Sequence, residues 1–203
     1  MTRRRRPSPK ADPSFVAALA QIAARIAAAL ADVDPARLPV HMFIAGGAAM
    51  HLYTGVRATE DVDAVFSSRI LLPEDLDVYY LDARGEPRLL YFDRQYNDTL
   101  GLLHEDAMRD SIPLAIPGVD PGVLELRALS PVDLAVSKIG RFEEHDRGDI
   151  AALSQDGLIT ARALRRRAEE ALSYYVGHAG RVRTSIDLAV AIVEANRPRR
   201  RQR

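Results

Sequence analysis

Cysteine is absent from the 203-residue chain, which excludes a disulfide framework and a thiolate metal site. Long apolar runs are absent as well, since no stretch approaches the ~18 residues that a membrane-spanning helix needs. The basic N-terminus is not followed by the apolar segment of a signal peptide. We therefore expect a cytoplasmic protein with no membrane partner. Its 47% hydrophobic and 28% charged residues are typical of a globular domain with its own core.

Lysine is scarce, because only Lys10 and Lys138 among the 28 basic residues are lysines. Basic residues cluster in 1–10 and 197–203, and neither segment contains an acid. The remaining body carries 18 basic and 28 acidic residues, so the zero net charge conceals an acidic body with basic ends. Such ends would steer the protein to a polyanion, act as disordered solubilising tails, or fold back on the acidic body.

Apolar periodicity predicts an α/β core in the N-terminal part of the chain. Asp12-Pro13 opens a helix whose apolar residues recur at helical spacing as far as Leu30. The other core elements are predicted as strands at Val40–Ala45, Asp61–Phe66, Val78–Leu81, Arg88–Phe92, Leu114–Ile116 and Val123–Ala128, a short helix at Ala48–Tyr53, and a helix within Asp93–Ser111.

A helical segment follows this core. Ser130-Pro131-Val132-Asp133 caps a helix through Ile139 to about Phe142, and further helices are predicted near Arg147–Leu153, 161–176 and 184–195. The fold class is therefore α/β or α+β, with a mixed sheet of four or five strands flanked by helices and a C-terminal helical subdomain. We expect a disordered tail at 1–12, a core at 13–129, the helical subdomain at 130–196, and a second tail at 197–203.

Two carboxylates share one face of a predicted strand. Side chains alternate along a strand, so Asp61 and Asp63 point to the same side, roughly 6–7 Å apart. Like charges at that spacing repel unless a positive group lies between them, and carboxylate oxygens suit a hard cation such as Mg²⁺. A solvated strand face is the alternative interpretation of the pair taken alone.

A diglycine turn precedes this pair. Gly46-Gly47 ends one predicted strand and opens a short helix, 15 residues before Asp61. Glycine leaves the backbone N–H groups at a helix N-terminus open to a phosphate, because no Cβ intervenes. A phosphate cradle and a metal site would then lie side by side.

The segment GGAAMHLYTGVRATEDVDAVF resembles the signature of the polymerase-β-type nucleotidyltransferase superfamily: an apolar strand, Gly-Gly or Gly-Ser, a short helix, and D-x-D on the next strand. Its local form is similar to the small bacterial branch of minimal nucleotidyltransferases and to the AbiEii-type toxins. The resemblance implies that Gly46 and Gly47 hold the triphosphate of an NTP, and that Asp61 and Asp63 ligate two Mg²⁺ ions. Arg57 and Thr59 would contact phosphate, brace the aspartates, or only stabilise the turn.

The superfamily often adds a third acid on a later strand, and Glu125 is the candidate because its leucine neighbours would face the core. Its alternative is a solvated strand face, with Glu125 near Arg127.

A second cluster, SPVDLAVSKIGRFEEHDRGDIAAL, resembles the downstream part of the AbiEii-like pattern. Lys138, the only lysine of the body, would supply a compact charge for a nucleotide phosphate. Asp149 would orient Lys138 or accept a proton from the acceptor. Chance retention of the lysine, and an acid that only favours a helix N-terminus, are the alternatives.

The resemblance implies transfer of a nucleoside monophosphate from an NTP to an acceptor hydroxyl. An AbiEii-type toxin would modify RNA, such as tRNA, and would have a cognate antitoxin. An antibiotic or another small molecule is the alternative acceptor. A non-catalytic nucleotide-binding member of a toxin–antitoxin pair is the alternative of a different class.

Overall fold

The computed structural model describes residues 9–56, 59–97 and 101–198, and its contacts divide the chain into two units. The first unit comprises Met1–Asn97 and Ser111–Ala128, and the second comprises Asp98–Asp110 and Leu129–Arg203. Most of the two predicted basic tails, together with Arg57, lies outside the described residues. None of the helices in the described ranges has the length and apolar content needed to cross a lipid bilayer.

Both helices and strands make up the described part of the first unit. In chain order they are α1 (Pro13–Ala28), a 3-10 helix (Pro35–Arg37), β1 (Val40–Ile44), α2 (Gly46–Thr54), β2 (Asp61–Val62), β3 (Ala64–Phe66), β4 (Asp77–Leu81), β5 (Pro87–Phe92), β6 (Ile112–Pro113) and β7 (Leu124–Ala128). The predicted strands Val78–Leu81 and Arg88–Phe92 are confirmed as β4 and β5, which pair antiparallel as a hairpin.

These strands form two sheets. The larger sheet has the order β3-β1-β7-β6, with β1 parallel to β7 and antiparallel to β3. The smaller sheet has the order β2-β5-β4, with β2 parallel to β5. The expected mixed α/β class is therefore confirmed, although the seven strands of the described residues are divided between a four-stranded and a three-stranded sheet.

Helix α1 covers part of this core. Asp12 caps it, because its Oδ1 accepts a hydrogen bond from the backbone N–H of Ser14 at 2.9 Å, and Pro13 occupies the first helical position. Its apolar stripe is fully buried and packs mainly against β4 and β5. Burial of such side chains contributes about 1.5–3 kcal/mol each.

The predicted strand Asp61–Phe66 is interrupted at Asp63. Asp61 and Val62 pair with Tyr91 and Phe92 of the smaller sheet, whereas Ala64–Phe66 pairs with β1 of the larger sheet. Asp63 is therefore the residue at which the chain passes from one sheet to the other.

The second unit is helical. Its helices are α3 (Pro131–Ile139), α4 (Glu144–Gln155), α5 (Ala161–Leu172) and α6 (Ala179–Ala195). Helix α3 packs against the other three, and its N-cap is Ser130, whose Oγ accepts from the backbone N–H of Asp133 at 3.2 Å.

Two predicted elements are wrong. No helix occurs in the described residues of Asp93–Ser111, where polar residues form turns. The short strand expected at Leu114–Ile116 lies instead at Ile112–Pro113 as β6, pairing with Arg127 and Ala128 of β7. Periodicity over so few residues does not fix a strand's position, because pairing with a distant strand decides it.

Candidate active site

The two acids of the D-x-D segment lie at the junction between the two sheets, beside the end of β1. The backbone N–H of Ala45, the residue after β1, donates to the carbonyl oxygen of Asp63 at 2.8 Å. Both side chains are half-buried, and Asp61 belongs to β2. The acids are therefore held at the point where β1 gives way to α2.

The diglycine turn lies directly against these acids. A Cβ added to Gly46 would overlap Oδ2 of Asp63 and lie 2.7 Å from its Cγ. A Cβ added to Gly47 would overlap Oγ1 of Thr59 and lie 3.7 Å from Oδ1 of Asp61. Glycine at position 46 lets the carboxylate of Asp63 approach the backbone so closely, and glycine at position 47 makes room for the hydroxyl of Thr59 beside Asp61. The acid pair and the turn therefore form one site in the first unit.

Helix α2 presents its N-terminus at this site. It begins at Gly46, whose φ is +53°, a left-handed conformation that favours glycine. Its N-cap, Ala45, offers no side-chain acceptor. The first N–H groups of a helix have no acceptor within the helix, and they carry the positive end of its dipole. This terminus is suited to bind an anion such as a phosphate group.

Thr59 braces the first acid. Its hydroxyl donates to Oδ1 of Asp61 at 2.5 Å, and the same hydroxyl lies over Gly47. Thr59 therefore fixes the carboxylate while leaving its negative charge in place. Arg57, which the sequence also placed here, is outside the described residues.

Tyr91 is a site residue that sequence reasoning missed. It pairs with Asp61 across the parallel strands β2 and β5 and is 37% exposed. Burial, together with the negative charges of Asp61 and Asp93, raises the pKa of Tyr91 above its usual value of 10.0. Its aromatic side chain stays neutral beside the acids at physiological pH. No local pattern reveals it, because the pairing joins residues 30 positions apart.

Glu125 is not brought to the acid pair. It lies opposite His41 on β1, whereas Asp63 is bonded to Ala45, four residues further along that strand and so about 13 Å away along it. Its Oε2 accepts from Nη1 of Arg127 at 2.8 Å and lies 3.2 Å from Nδ1 of His41. This geometry corresponds to the alternative in which Glu125 is paired with Arg127.

Lys138 and Asp149 meet in the second unit. Nζ of Lys138 lies 2.9 Å from Oδ2 of Asp149 and 3.8 Å from Oδ1 of Asp146, and all three residues are buried. Arg141 donates to both oxygens of Asp146, at 3.0 and 2.9 Å. Burial alone would raise the pKa of Asp146, but these bonds and the backbone N–H of Glu143 lower it overall. We predicted no role for Asp146 from the sequence, although its spacing to Asp149 places both on one helix face.

The donor set restricts which metal the first unit would hold. Within the described ranges, no group of three or more His, Cys, Asp or Glu side chains could hold a metal ion. The site therefore offers two carboxylates, Asp61 and Asp63. That set fits Mg²⁺, which binds through one or two carboxylates and takes water and substrate phosphate as its other ligands.

A helix N-terminus with two glycines packed against two carboxylates is the arrangement that the resemblance predicts for a nucleotidyltransferase. The comparison with known families agrees with this class. The chain belongs to the family described as nucleotidyltransferase of unknown function (DUF6036), whose model matches residues 20–193. The match supports the nucleotidyltransferase class and does not single out the AbiEii toxin branch. Searches of curated proteins and of solved structures found no match.

Proposed function

We propose that the protein transfers a nucleoside monophosphate from an NTP to an acceptor hydroxyl, with Mg²⁺ as its cofactor. The observation that carries the proposal is the packing of Gly46 and Gly47 against the carboxylates of Asp63 and Asp61. A metal-bound triphosphate needs both features together, since the carboxylates bind the cation and the helix terminus binds the phosphate oxygens.

Each residue of the site has a distinct part in this proposal. Asp61 and Asp63 would hold Mg²⁺, which when bound supplies a Lewis acid that neutralises charge on the phosphates. The N–H groups of Gly46 and Gly47 orient the β- and γ-phosphates, so that the α-phosphate is fixed for in-line attack by the acceptor. Thr59 keeps Asp61 in one rotamer through the 2.5 Å hydrogen bond.

Lys138 and Asp149 keep the parts that the resemblance suggests. Lys138 would supply positive charge for the nucleotide, and Asp149 would hold its ammonium group in place through the 2.9 Å contact. A role of Asp149 as proton acceptor would require it to leave this pair, and the positioning role is therefore the one we propose.

An RNA hydroxyl is the acceptor class that we propose. Residues 1–10 and 197–203 contain ten basic residues and no acid, so they would bind a phosphate backbone without regard to sequence. A toxin role of the AbiEii type, with a protein antitoxin, belongs to the same proposal. Growth arrest on expression of the wild type, but not of Asp61→Asn, would support it.

Incubation of the protein with each of four α-labelled NTPs, Mg²⁺ and total cellular RNA tests the proposal. We expect label to enter RNA with one or more of the NTPs. EDTA, Asp61→Asn and Asp63→Asn should each reduce incorporation to background, and Asp32→Asn, at an exposed residue of the same unit, should retain it. Incorporation by the double variant Asp61→Asn/Asp63→Asn at the wild-type rate would refute the assignment.

The salt dependence of the reaction distinguishes the acceptors. Removal of 1–8 and 199–203 should weaken RNA binding and flatten its dependence on salt concentration, because each lost phosphate contact removes counterion release. A transfer rate that changes neither with salt concentration nor on removal of the basic ends would instead indicate that the acceptor is a small-molecule hydroxyl.

A further inference from the structure

A cleft of about 500 Å³ opens along the outer side of β3, which is the outermost strand of the larger sheet. Its opposite wall is formed by the end of β5 and the residues that follow it. We call this space the β3-edge cleft, and the lining residues that matter here are Phe66, Ser68, Arg69, Phe92, Arg94 and Tyr96. The nucleotidyltransferase site described above uses none of them.

Aromatic rings form one part of the lining. Phe66 and Phe92 are stacked, with ring centroids 5.8 Å apart and an angle of 30° between the rings. Phe92 is only 6% exposed and supports Phe66 from behind, whereas Phe66 and Tyr96 are partly exposed. The β3-edge cleft therefore offers aromatic surface to a ligand on a rigid support.

Two arginines at the rim have different roles. The guanidinium of Arg94 donates to the carbonyl oxygens of Pro73 and of Glu74, the latter at 3.0 Å, and so fixes the loop before β4 next to Leu72, which lines the cleft. Arg69 is exposed and makes no ion pair with any described residue. Arg69 therefore lies beside aromatic rings without an ion-pair partner in the described residues, and the carboxylate that lines the cleft, Asp93, accepts a hydrogen bond from the backbone N–H of Gln95 at 2.8 Å. This arginine is available to a ligand that is flat and negatively charged.

The cleft is joined to the segment that carries the acid pair. Its β3 wall begins at Ala64, directly after Asp63, and the backbone N–H of Asp93 on the other wall donates to the carbonyl oxygen of Val62 at 3.2 Å. Phe66 is three residues after Asp63, so their Cα atoms are at most about 10 Å apart. The polyphosphate and the base of one nucleotide are separated by a comparable distance.

We propose that the β3-edge cleft binds a nucleobase, stacked on Phe66 and Tyr96, with Arg69 paired to a phosphate or to the edge of the base. Base–aromatic stacking accepts every base, and arginine adds a cation–π contribution. The proposal rests on the proposed function, because it places the base of one of the two substrates of nucleotidyl transfer. That base belongs either to the donor NTP or to the acceptor RNA.

The chain contains no tryptophan, so a single introduced tryptophan reports on this cleft alone. In the variant Tyr96→Trp, adenosine, guanosine, cytidine or uridine should quench the emission in a saturable way, because a stacked base quenches indole fluorescence. Inorganic tripolyphosphate, which has no base, should leave the emission unchanged. The matched control is Tyr79→Trp on β4, where the side chain is 80% exposed outside the cleft.

Two further substitutions in the Tyr96→Trp background test the individual contacts. Phe66→Ala should raise the dissociation constant of the best nucleoside about tenfold, which is the scale of one lost base–aromatic contact. Arg69→Ala should weaken the binding of the corresponding nucleoside monophosphate, and the matched Arg84→Ala, at the exposed tip of the β4–β5 hairpin, should not. Circular dichroism would establish that each variant is folded.

The proposal fails if no nucleoside quenches a folded Tyr96→Trp protein, or if Tyr79→Trp is quenched equally. Nucleoside binding needs neither Mg²⁺ nor Asp63, so the fluorescence assay can detect binding even if no transfer activity is found. Transfer activity can likewise be found even if no nucleoside binds in this cleft. The source of the base follows from two arms. If the base belongs to the donor, a non-hydrolysable Mg²⁺–NTP should quench the emission at lower concentration than a nucleoside, and this gain should be lost in Asp63→Asn. If the base belongs to the acceptor, a short RNA should quench the emission while that NTP is saturating.

Discussion

Each unit contains a pair of aspartates, and the two pairs differ in burial and in the groups that contact them. Asp61 and Asp63 are half-buried and lie against the glycines that begin α2. Asp146 and Asp149 are almost fully buried on α4 and face two cations of their own unit. Asp61 accepts a hydrogen bond from the neutral hydroxyl of Thr59.

The difference follows from the cost of burying charge. A buried carboxylate needs a cation and further hydrogen bonds in the folded protein, and Lys138 and Arg141 supply these to the pair on α4. A carboxylate that will bind a cation from solution needs an accessible oxygen and a fixed position. At the sheet junction, the glycines of α2 lie against the pair, and Thr59 positions the carboxylate of Asp61 through a hydrogen bond from a neutral hydroxyl. We therefore expect the pair on α4 to contribute more to stability than the junction pair, which we propose to bind a cation.

The largest effect expected from this comparison is on stability. Asp149→Ala leaves the buried ammonium of Lys138 with only Asp146 at 3.8 Å, and breaking such a pair costs about 3–5 kcal/mol of unfolding free energy. Asp61→Asn, whose side-chain oxygen can still accept from the hydroxyl of Thr59, should leave the unfolding free energy almost unchanged while abolishing transfer. Urea denaturation of both variants measures the contrast, with Glu144→Ala as the exposed control on α4. Equal destabilisation by the two aspartate variants would break the comparison.

The close approach of the acids to the turn is tested by Gly46→Ala. Alanine would carry the strain of φ +53° and would also displace the carboxylate of Asp63, so we expect a loss of about 1–3 kcal/mol and of transfer. Gly85→Ala is the matched control, because its φ is +77° but no described atom lies within 4 Å of the added Cβ. It should lose stability from backbone strain alone and keep transfer. Loss of transfer in both variants would contradict the claim that transfer depends on the close approach of Asp63 to Gly46.

The sequence predicted those parts of the fold that depend on neighbouring residues. The hairpin of β4 and β5, the capped start of α1 and the start of α3 after Ser130 follow from turn and capping residues, whose effects are local. The adjacency of the diglycine turn and the D-x-D segment was also predicted, because 15 residues leave room for one helix and a return strand.

Other features could not be predicted, because they depend on pairing between distant segments. The segment Asp61–Phe66 was predicted as one strand, yet its halves join different sheets, and pairing with distant residues such as Tyr91 and Phe43 decides this. Glu125 is a second example. Alternation correctly predicted that it points away from its leucine neighbours. The register of β7 against β1, however, pairs it with His41, four residues before Ala45, which is bonded to Asp63. Periodicity gives the face of a strand and not its register.

A moderate effect is expected at Thr59. Thr59→Val keeps the shape of the side chain and removes the hydrogen bond to Asp61, so the carboxylate gains rotamer freedom. Loss of a group that orients a metal ligand typically reduces metal affinity or activity 10–100-fold. Transfer rates measured over a range of Mg²⁺ concentrations should show a higher requirement for Mg²⁺, with folding unaffected. Thr184→Val, on the exposed face of α6, is the control, and an unchanged Mg²⁺ requirement would exclude a bracing role.

The smallest effect is the acid sensitivity of the α4 pair. The pKa of Asp146 is lowered in the folded protein from its usual 3.8, so its ionised form stabilises the fold. This contribution is complete above the unfolded value and is lost as the pH falls through the lower, folded value. The stability difference between wild type and Asp146→Asn should therefore shrink from pH 6 towards pH 2, as measured by urea denaturation at several pH values. The pKa values of other carboxyls, such as Asp12 and Asp110, are also lowered, but their contributions cancel in the comparison with wild type. A stability difference that stays constant with pH would assign the stabilisation to the shape of the Asp146 side chain rather than to its charge.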